Sequence, residues 1–294
     1  MEPEQIVQTD GIDSGGAELC IQTAGEPSDP AVLLIHGASA SMLWWEAELC
    51  EQLAARGRFV VRYDQRDTGR SSTYPVGAPG YGMRDLAADA VAILDALGID
   101  RAHVVGRSMS GGVALILAVD HPERVASVTF MATTTGEPGL PDPTPEFRDA
   151  TAEPAPDPAD REAMVGHLVR GIVAYHGTSG LTDRDHVEQV VRADLARSRD
   201  YAATLTNHFA QRFEGPRNGS FGDISAPALI MHGELDPIFP LAHARALERA
   251  IPGARLQVLT DTGHELPVGR WPDFVEILWQ HTDLAERTTP DGAR

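Results

Sequence analysis

Three residues of this sequence, Ser108, Asp236 and His264, have the side-chain types that activate a hydroxyl for attack on a carbonyl carbon. A serine hydroxyl is a weak nucleophile at neutral pH, so it needs a base within hydrogen-bond reach to take its proton. A histidine can be that base when a carboxylate holds its tautomer and stabilises its charged form. The three residues follow one another in the order Ser, Asp, His, and each lies just after a predicted strand. We therefore expect them to meet at one edge of a sheet.

Ser108 lies where a β-branched run stops and a helical pattern begins, in Val104-Val105-Gly106-Arg107-Ser108-Met109-Ser110-Gly111-Gly112. The small residues Gly106 and Ser110 flank it at two positions on either side, which is typical of a nucleophile elbow, a sharp strand-to-helix turn. Glycine is usual where Ser110 stands, so a second register with Ser110 as nucleophile is open. A glycine-rich turn with a helix-capping serine is the non-catalytic alternative. We favour Ser108, because the strand runs directly into it and Ser110 would fall inside the helix.

An oxyanion forms when the carbonyl is attacked, and it needs two N–H donors, each worth roughly 3–4 kcal/mol of transition-state stabilisation. We expect one donor from Met109, the residue after the nucleophile. The other is expected from Ala38, just after His36-Gly37 at the end of the first buried strand. His36 is expected to shape this loop rather than to act as a base.

Substrate contacts are expected at Gly37, Trp44 and Phe209. The sequence leaves a purely structural role open for two of them. Trp44 could equally pack in the core, and Phe209 lies on a helix whose aromatic residues could serve in helix packing.

Neighbouring polar residues admit other roles. Glu234 could replace Asp236 as the carboxylate, but Asp236 lies at the outer turn of its loop. His232 ends a strand and is expected to be structural. Asp64 and Asp67 could ligate a metal, but no third ligand has suitable spacing, so we expect them to brace a loop. No metal and no cofactor are predicted.

Strands and helices alternate along the chain, which predicts an α/β fold with a mostly parallel, doubly wound sheet. The predicted strands are Gln5–Thr9, Glu18–Thr23, Ala31–Ile35, Phe59–Tyr63, the run before Ser108, Ala126–Met131, Ala228–Met231 and Leu256–Leu259. Helical patterns cover Trp44–Arg56, Met83–Leu97, the segment after Ser108, Ala242–Ala250 and Trp271–Leu284. Ligands bind at the carboxyl ends of the strands in such sheets, which is where the candidate residues lie.

A change of composition at Thr133 indicates an insertion. Prolines and acidic residues crowd positions 136–158, which predicts a loop. Helical patterns follow at Asp160–His176, Asp183–Ala196 and Arg199–Arg212, with no strand run among them. We expect residues 134–222 to form a helical lid, or cap, inserted before the last two strands of a core built from 1–133 and 223–294.

The charge balance excludes several function classes. Forty-three acidic residues against 24 basic ones give a net charge of −19, which argues against nucleic acid and anionic membranes as partners. Every basic residue other than histidine is arginine, so lysine-dependent Schiff-base, pyridoxal-phosphate and P-loop chemistries are excluded. Cys20 and Cys50 offer neither a metal motif nor a disulfide framework. We expect a cytoplasmic monomer or homodimer that acts on a small-molecule ester.

Residues 18–282 resemble α/β-hydrolases of the lid-bearing esterase and haloperoxidase-like group. The resemblance is carried by His36-Gly37-Ala38, Tyr63 to Ser71, the Ser108 elbow, His121-Pro122-Glu123-Arg124-Val125, Gly233-Glu234-Leu235-Asp236-Pro237 and Gly263-His264. More narrowly, Arg66-Asp67-Thr68-Gly69-Arg70-Ser71 is similar to the methylesterases of anthracycline tailoring. The resemblance implies a serine esterase whose roomy pocket accepts an aromatic, polyketide-type methyl ester.

Two other classes of function stay open. The same three residues serve C–C bond hydrolysis, lactone opening and lyase or cyclase steps on this kind of scaffold. A non-catalytic ligand-binding protein is the third possibility, although such proteins often lose a member of the triad. Here all three candidates are present.

Overall fold

The computed structural model describes residues 1–11, 15–157 and 159–288. Its strands are β1 Gln5–Thr9, β2 Ala17–Ala24, β3 Ala31–Ile35, β4 Phe59–Tyr63, β5 Ala102–Arg107, β6 Val125–Met131, β7 Ala228–Gly233 and β8 Arg255–Leu259. Its α-helices are α1 Ala47–Ala54, α2 Met83–Ala96, α3 Ser110–Asp120, α4 Pro145–Ala150, α5 Arg161–Tyr175, α6 Arg184–Arg197, α7 Tyr201–Ala210, α8 Ala242–Ala250 and α9 Trp271–Thr288. Within these ranges no helix is both long enough and apolar enough to cross a bilayer.

The strands form one sheet in the order β1-β2-β4-β3-β5-β6-β7-β8. β2 pairs antiparallel with β1 and with β4, and every pairing from β4 to β8 is parallel. The strands from β3 to β7 are buried along their whole length, which explains their continuous apolar runs. The predicted α/β fold with a mostly parallel sheet is therefore confirmed.

Helices cover both faces of the sheet. Leu33 and Ile35 of β3 belong to the apolar layer beneath α2, α3 and α8. Their neighbours Val32 and Leu34 belong to the opposite layer, beneath α1 and α9. The sheet is thus enclosed on both sides, and its carboxyl edge is left to carry polar side chains.

The turn from β5 to α3 depends on Gly106. A Cβ atom there would lie 2.3 Å from the carbonyl oxygen of Ser110 and 2.6 Å from the Cβ of Ala114. Helix α3 therefore crosses its own strand at a distance that only glycine permits. Ser108, at the tip of the turn, has φ of 52°, in the left-handed region that non-glycine residues rarely adopt.

Two predicted segments differ from the structure. The helix predicted over Trp44–Arg56 is a 3-10 turn at Met42–Trp44 followed by α1, because Trp45 leaves the helical region with ψ of 79° and packs on Phe274. The loop predicted over 136–158 contains α4, which begins at Pro145, where a missing N–H is harmless. The Thr144 side chain caps this helix by accepting from the N–H of Phe147.

The insertion, residues 134–222, contributes α4 to α7 between β6 and β7. Helices α5 and α6 pack through four valines, Val165, Val169, Val187 and Val191. The last helix of the chain, predicted to end at Leu284, continues to Thr288. The predicted core segment runs on to residue 294, but 289–294 lie outside the described residues. The boundaries of core and lid stay predictions.

We expect Gly106→Ala to lower the free energy of unfolding by about 1–3 kcal/mol or more, because the added methyl group would overlap helix α3. Gly166→Ala is the matched control. A Cβ at Gly166 in α5 would meet its nearest atom at an ordinary 3.6 Å, so this variant should be neutral or gain up to about 1 kcal/mol in helix propensity. Urea unfolding of both variants measures the difference, and equal stabilities would contradict it.

Candidate active site

Ser108, His264 and Asp236 form a continuous hydrogen-bonded chain. The Oγ of Ser108 lies 3.0 Å from Nε2 of His264, and Nδ1 of His264 lies 2.8 Å from Oδ2 of Asp236. The Nδ1–H of the imidazole donates to the carboxylate, which leaves the Nε2 lone pair free to accept from the serine hydroxyl. The structure therefore brings together the three residues that the sequence predicted, from turns that come directly after β5, β7 and β8.

Asp236 is buried and charged. Burial alone would raise the pKa of its carboxyl, but the neighbouring His264 and His232 outweigh burial and hold that pKa below its ordinary value. Its second oxygen, Oδ1, accepts the backbone N–H groups of Ile238 and Phe239, both at 2.9 Å. These bonds orient the carboxylate toward the imidazole.

The alternative residues have other hydrogen-bond partners. Glu234 is exposed, and its carboxylate accepts from the N–H of Asp261 at 3.4 Å rather than from the imidazole. His232 is buried, and its Nε2 lies 2.6 Å from the carbonyl of Phe239. The hydroxyl of Ser110 is buried beneath the site and donates to the carbonyl of His36 at 2.5 Å.

The two candidate oxyanion donors lie beside Ser108. Within the described residues, neither the N–H of Ala38 nor that of Met109 takes part in a hydrogen bond of the chain itself. Both residues line the same cavity as Ser108 and His264. Gly37 lets the loop approach, since a Cβ there would lie 2.9 Å from the Cβ of Ser108. A residue with a side chain would not fit at position 37, so the close approach to Ser108 requires glycine independently of any contact with substrate.

Arg107 and Glu265 form a buried ion pair next to the candidate residues, with Nη2 and Oε2 2.5 Å apart. The same guanidinium donates to the carbonyl of His264 at 2.7 Å, and its Nη1 lies 3.1 Å from Nε2 of His36. Burial would raise the pKa of Glu265, but the charge of Arg107 dominates and lowers it to about 2. Burial and the same charge lower the pKa of His36 to about 3, so its ring is neutral.

The backbone around His264 is held by the insertion. Its N–H donates to the carbonyl of Tyr175, at the end of α5, at 2.7 Å. Gly263 makes this contact possible, because a Cβ there would lie 2.5 Å from backbone atoms of Tyr175 and His176. The ring of Tyr175 also meets the imidazole edge-on, with centroids 5.8 Å apart. The imidazole is therefore fixed from both the core and the insertion.

A cavity of about 750 Å³ opens above Ser108 and His264. Most of its wall is apolar or aromatic, with Phe209 and Phe213 of the insertion at its rim, 64% and 61% exposed. A second cavity of about 200 Å³ adjoins it and is lined by Trp44, Phe209 and residues of α5 and α7. Trp44 and Phe209 thus both line cavities, although Nε1 of Trp44 is also bonded to Asp194 at 2.9 Å.

The two aspartates considered as metal ligands have partners within the chain. Asp64 lies 2.6 Å from Arg197 and accepts the N–H groups of Met42 and Arg70. Asp67 accepts from the hydroxyl of Tyr81, the N–H of Tyr74 and the amide of Asn207. Both carboxylates therefore brace loops against neighbouring elements.

Sequence reasoning missed Arg107 and Glu265. Each is the immediate chain neighbour of a predicted site residue, and the two carry opposite charges, which was an available signal. It also missed the polar residues of α7, notably His208, whose contacts with the core depend on how the insertion packs. Spacing along the chain gives no indication of those contacts.

A protein family and several known proteins match most of this chain. A family profile described as the alpha/beta hydrolase fold matches residues 30–268. Rhodomycin D methylesterase DauP from Streptomyces sp. (strain C5) is 33% identical over 278 residues, which cover 89% of this chain and 93% of the relative. Both findings confirm the resemblance that the motifs predicted.

Other similarities are broader. A 2-hydroxy-6-oxononadienedioate/2-hydroxy-6-oxononatrienedioate hydrolase from Paraburkholderia xenovorans (strain LB400) is 28% identical, over 94% of this chain and 91% of the relative. The solved structure of the esterase EaEST from Exiguobacterium antarcticum superposes with a TM-score of 0.73 at 22% identity, covering 94% of this chain and 99% of that one. This last similarity supports the fold alone.

The ion pair of Glu265 predicts a pH-dependent contribution to stability. The folded-state pKa of about 2 lies below the ordinary glutamate value, so the contribution is complete above roughly pH 5 and is lost as pH falls toward 2. The difference in unfolding free energy between the wild type and Glu265→Gln should therefore be largest near pH 7 and shrink below pH 5. Urea unfolding at a series of pH values measures it.

Glu276→Gln is the control for this experiment, because Glu276 pairs with Arg56 at the surface, where both side chains are at least 40% exposed. An exposed ion pair contributes little to stability. This variant should differ little from the wild type at any pH. A constant effect of Glu265→Gln between pH 7 and pH 3 would contradict the assignment.

Proposed function

Because the chain belongs to the α/β-hydrolase family, we propose that it is a serine carboxylic ester hydrolase that works through an acyl-enzyme. One observation carries the proposal, the unbroken chain of hydrogen bonds from Ser108 through His264 to Asp236. Beside it lie two unused backbone N–H groups, at Ala38 and Met109, in a cavity large enough for a substrate.

The proposed reaction has two halves. Ser108 Oγ attacks the ester carbonyl carbon while Nε2 of His264 takes the hydroxyl proton, and the N–H groups of Ala38 and Met109 stabilise the oxyanion. The bond from the carbonyl carbon to the ester oxygen then breaks, and His264 gives its proton to the departing alcohol. Water attacks the acyl-serine by the same route, which releases the acid and restores the serine hydroxyl.

For the substrate we propose a neutral methyl ester of a bulky aromatic acid of polyketide type. The relative at 33% identity is named as a methylesterase of rhodomycin D, which supports this class. The apolar and aromatic wall of the cavity and its exposed phenylalanines suit a flat, apolar acid. The helical insertion, which supplies part of that wall, would serve as the lid over this substrate.

The alternative reaction is hydrolysis of a C–C bond, and the relative from Paraburkholderia xenovorans has a substrate name that denotes a dicarboxylate. The charges in the cavity help to choose between such a substrate and an ester. Binding a dicarboxylate calls for unpaired cations. Arg107 is the only arginine among the described residues that line the cavity, and its charge is already neutralised by Glu265. This favours a neutral ester over a dianion, while lactone opening and lyase or cyclase chemistry use the same three residues.

We expect Ser108→Ala to lower kcat for an aryl ester by at least about 10³-fold, because the attacking atom is gone. Ser110→Ala removes a buried hydrogen bond worth about 1 kcal/mol and should lower kcat by less than about tenfold. Steady-state kinetics and labelling by a fluorophosphonate probe measure both variants. Loss of activity and labelling in Ser110→Ala alone would move the nucleophile to Ser110.

The acyl-enzyme is tested by rapid quenching. Wild-type protein mixed with the methyl ester of a polycyclic arylacetic acid should gain the mass of the acyl group at Ser108 within the first turnover, and Ser108→Ala should gain none. A vinylogous diketone serves as the comparison substrate, because its hydrolysis would break a C–C bond. Turnover of the diketone without turnover of the ester would contradict the esterase proposal and favour C–C hydrolysis.

A further inference from the structure

Helix α7 carries its polar residues toward the core. Thr204, Asn207, His208 and Gln211 follow one another at helical spacing, and all four are buried. Phe209, on another face of the helix, is 64% exposed. Burying these four polar side chains costs free energy unless each of them has a hydrogen-bond partner. Their partners therefore indicate which contacts of the core they serve.

Two of these residues fasten the helix to the loop after β4. The hydroxyl of Thr204 donates to the carbonyl of Asp67 at 2.5 Å. The amide of Asn207 donates to the Asp67 carboxylate at 3.0 Å and accepts the N–H of Gly77 at 2.7 Å. These contacts attach the insertion to the core and lie away from the reacting atoms.

His208 makes a different connection. Its Nδ1 accepts the N–H of Ser39 at 3.0 Å, and its Nε2 lies 2.8 Å from the carbonyl of Arg66. The first bond requires an unprotonated Nδ1 and the second a protonated Nε2, so the two partners select one neutral tautomer. Burial, which lowers the pKa of His208 to about 4, keeps the ring in that state at neutral pH.

Ser39 directly follows Ala38, the candidate oxyanion donor, and has φ of 57°, in the left-handed region. A serine in that conformation is held there by its surroundings rather than by its own preference. The hydrogen bond from its N–H to His208 therefore restrains the peptide between Ala38 and Ser39, which adjoins the peptide that carries the Ala38 N–H. Directly after the end of α7, Nε2 of Gln211 lies 3.0 Å from the sulfur of Met109, the other donor residue.

We propose that His208, on helix α7 of the insertion, is a positioning residue for the oxyanion hole, because its ring restrains the loop of Ala38 and Ser39. This inference rests on the proposed ester hydrolysis. Through Ser39, the ring of His208 sets the direction of the Ala38 N–H. Catalysis thereby depends on a side chain of the insertion that does not touch the reacting atoms.

Three variants test the proposal. His208→Leu should lower kcat for an aryl ester by about 10- to 100-fold with KM within about threefold, because the donor serves the transition state more than bound substrate. His208→Gln, whose amide can accept from Ser39 and donate to Arg66, should recover most of the loss. Asn207→Leu is the matched control, since it removes equally buried contacts of the adjacent residue without reaching Ser39. It should lower thermal stability comparably but change kcat by less than about threefold.

Thermal unfolding and the rate of phosphonylation by a fluorophosphonate accompany the kinetics. When Ser108 attacks the phosphorus atom of the probe, negative charge develops on the phosphoryl oxygen, which the same two N–H groups would stabilise. Phosphonylation should therefore slow in His208→Leu in proportion to kcat. If the leucine variant does not fold, His208→Ala, which removes both hydrogen bonds, replaces it with the same expected loss.

Equal losses of kcat in the Asn207 and His208 variants would overturn the inference, as would unchanged phosphonylation in His208→Leu. Failure of the wild type to hydrolyse esters while it is still labelled would count against the proposed function alone. In that case, slower labelling of His208→Leu would still support the positioning role.

Discussion

The buried ion pair of Arg107 and Glu265 is the interaction on which the rest of the site depends. Arg107 ends β5 and Glu265 lies after β8, two strands that are separated in the sheet by β6 and β7. The same guanidinium bonds the carbonyl of His264 and reaches the ring of His36 at the end of β3. A buried charge is costly unless all its partners are in place. This arrangement therefore holds the ends of three strands in one relative position.

The proposed site contains both charged and neutral buried side chains. The carboxylates of Asp236 and Glu265 are ionised despite burial, since the neighbouring His264 lowers the pKa of Asp236 and the guanidinium of Arg107 lowers that of Glu265. His36 and His208 are both buried, and burial, joined at His36 by the charge of Arg107, lowers their pKa values and keeps them neutral. The surrounding wall is mostly apolar. In the proposed reaction, such a site would stabilise the charge that develops at Ser108 and His264, and it offers no unpaired arginine among the described residues lining the cavity.

The sequence predicted the sheet and the three central residues for the same physical reason. Strands buried on both faces are continuously apolar, and parallel strands bring the turns after their carboxyl ends to one edge, so Ser108 and His264 could be placed together before any coordinates. Helix α4 was missed because proline density indicates a loop unless a proline falls in a first turn. The roles of Arg107 and His208 were missed because they depend on partners about 160 and 170 residues away along the chain, which no local pattern encodes.

The insertion is part of how the site is built, and each of its longer helices contacts a different loop. The end of α5 holds the backbone of His264 through Tyr175, and α6 holds Trp44 through Asp194. Helix α7 holds Ser39 through His208. A loop on its own samples many conformations, and restraining it costs entropy that these hydrogen bonds and the packing around them must offset. Because the restraints come from a segment that also walls the cavity, the same packing that shapes the cavity also restrains the proposed catalytic groups.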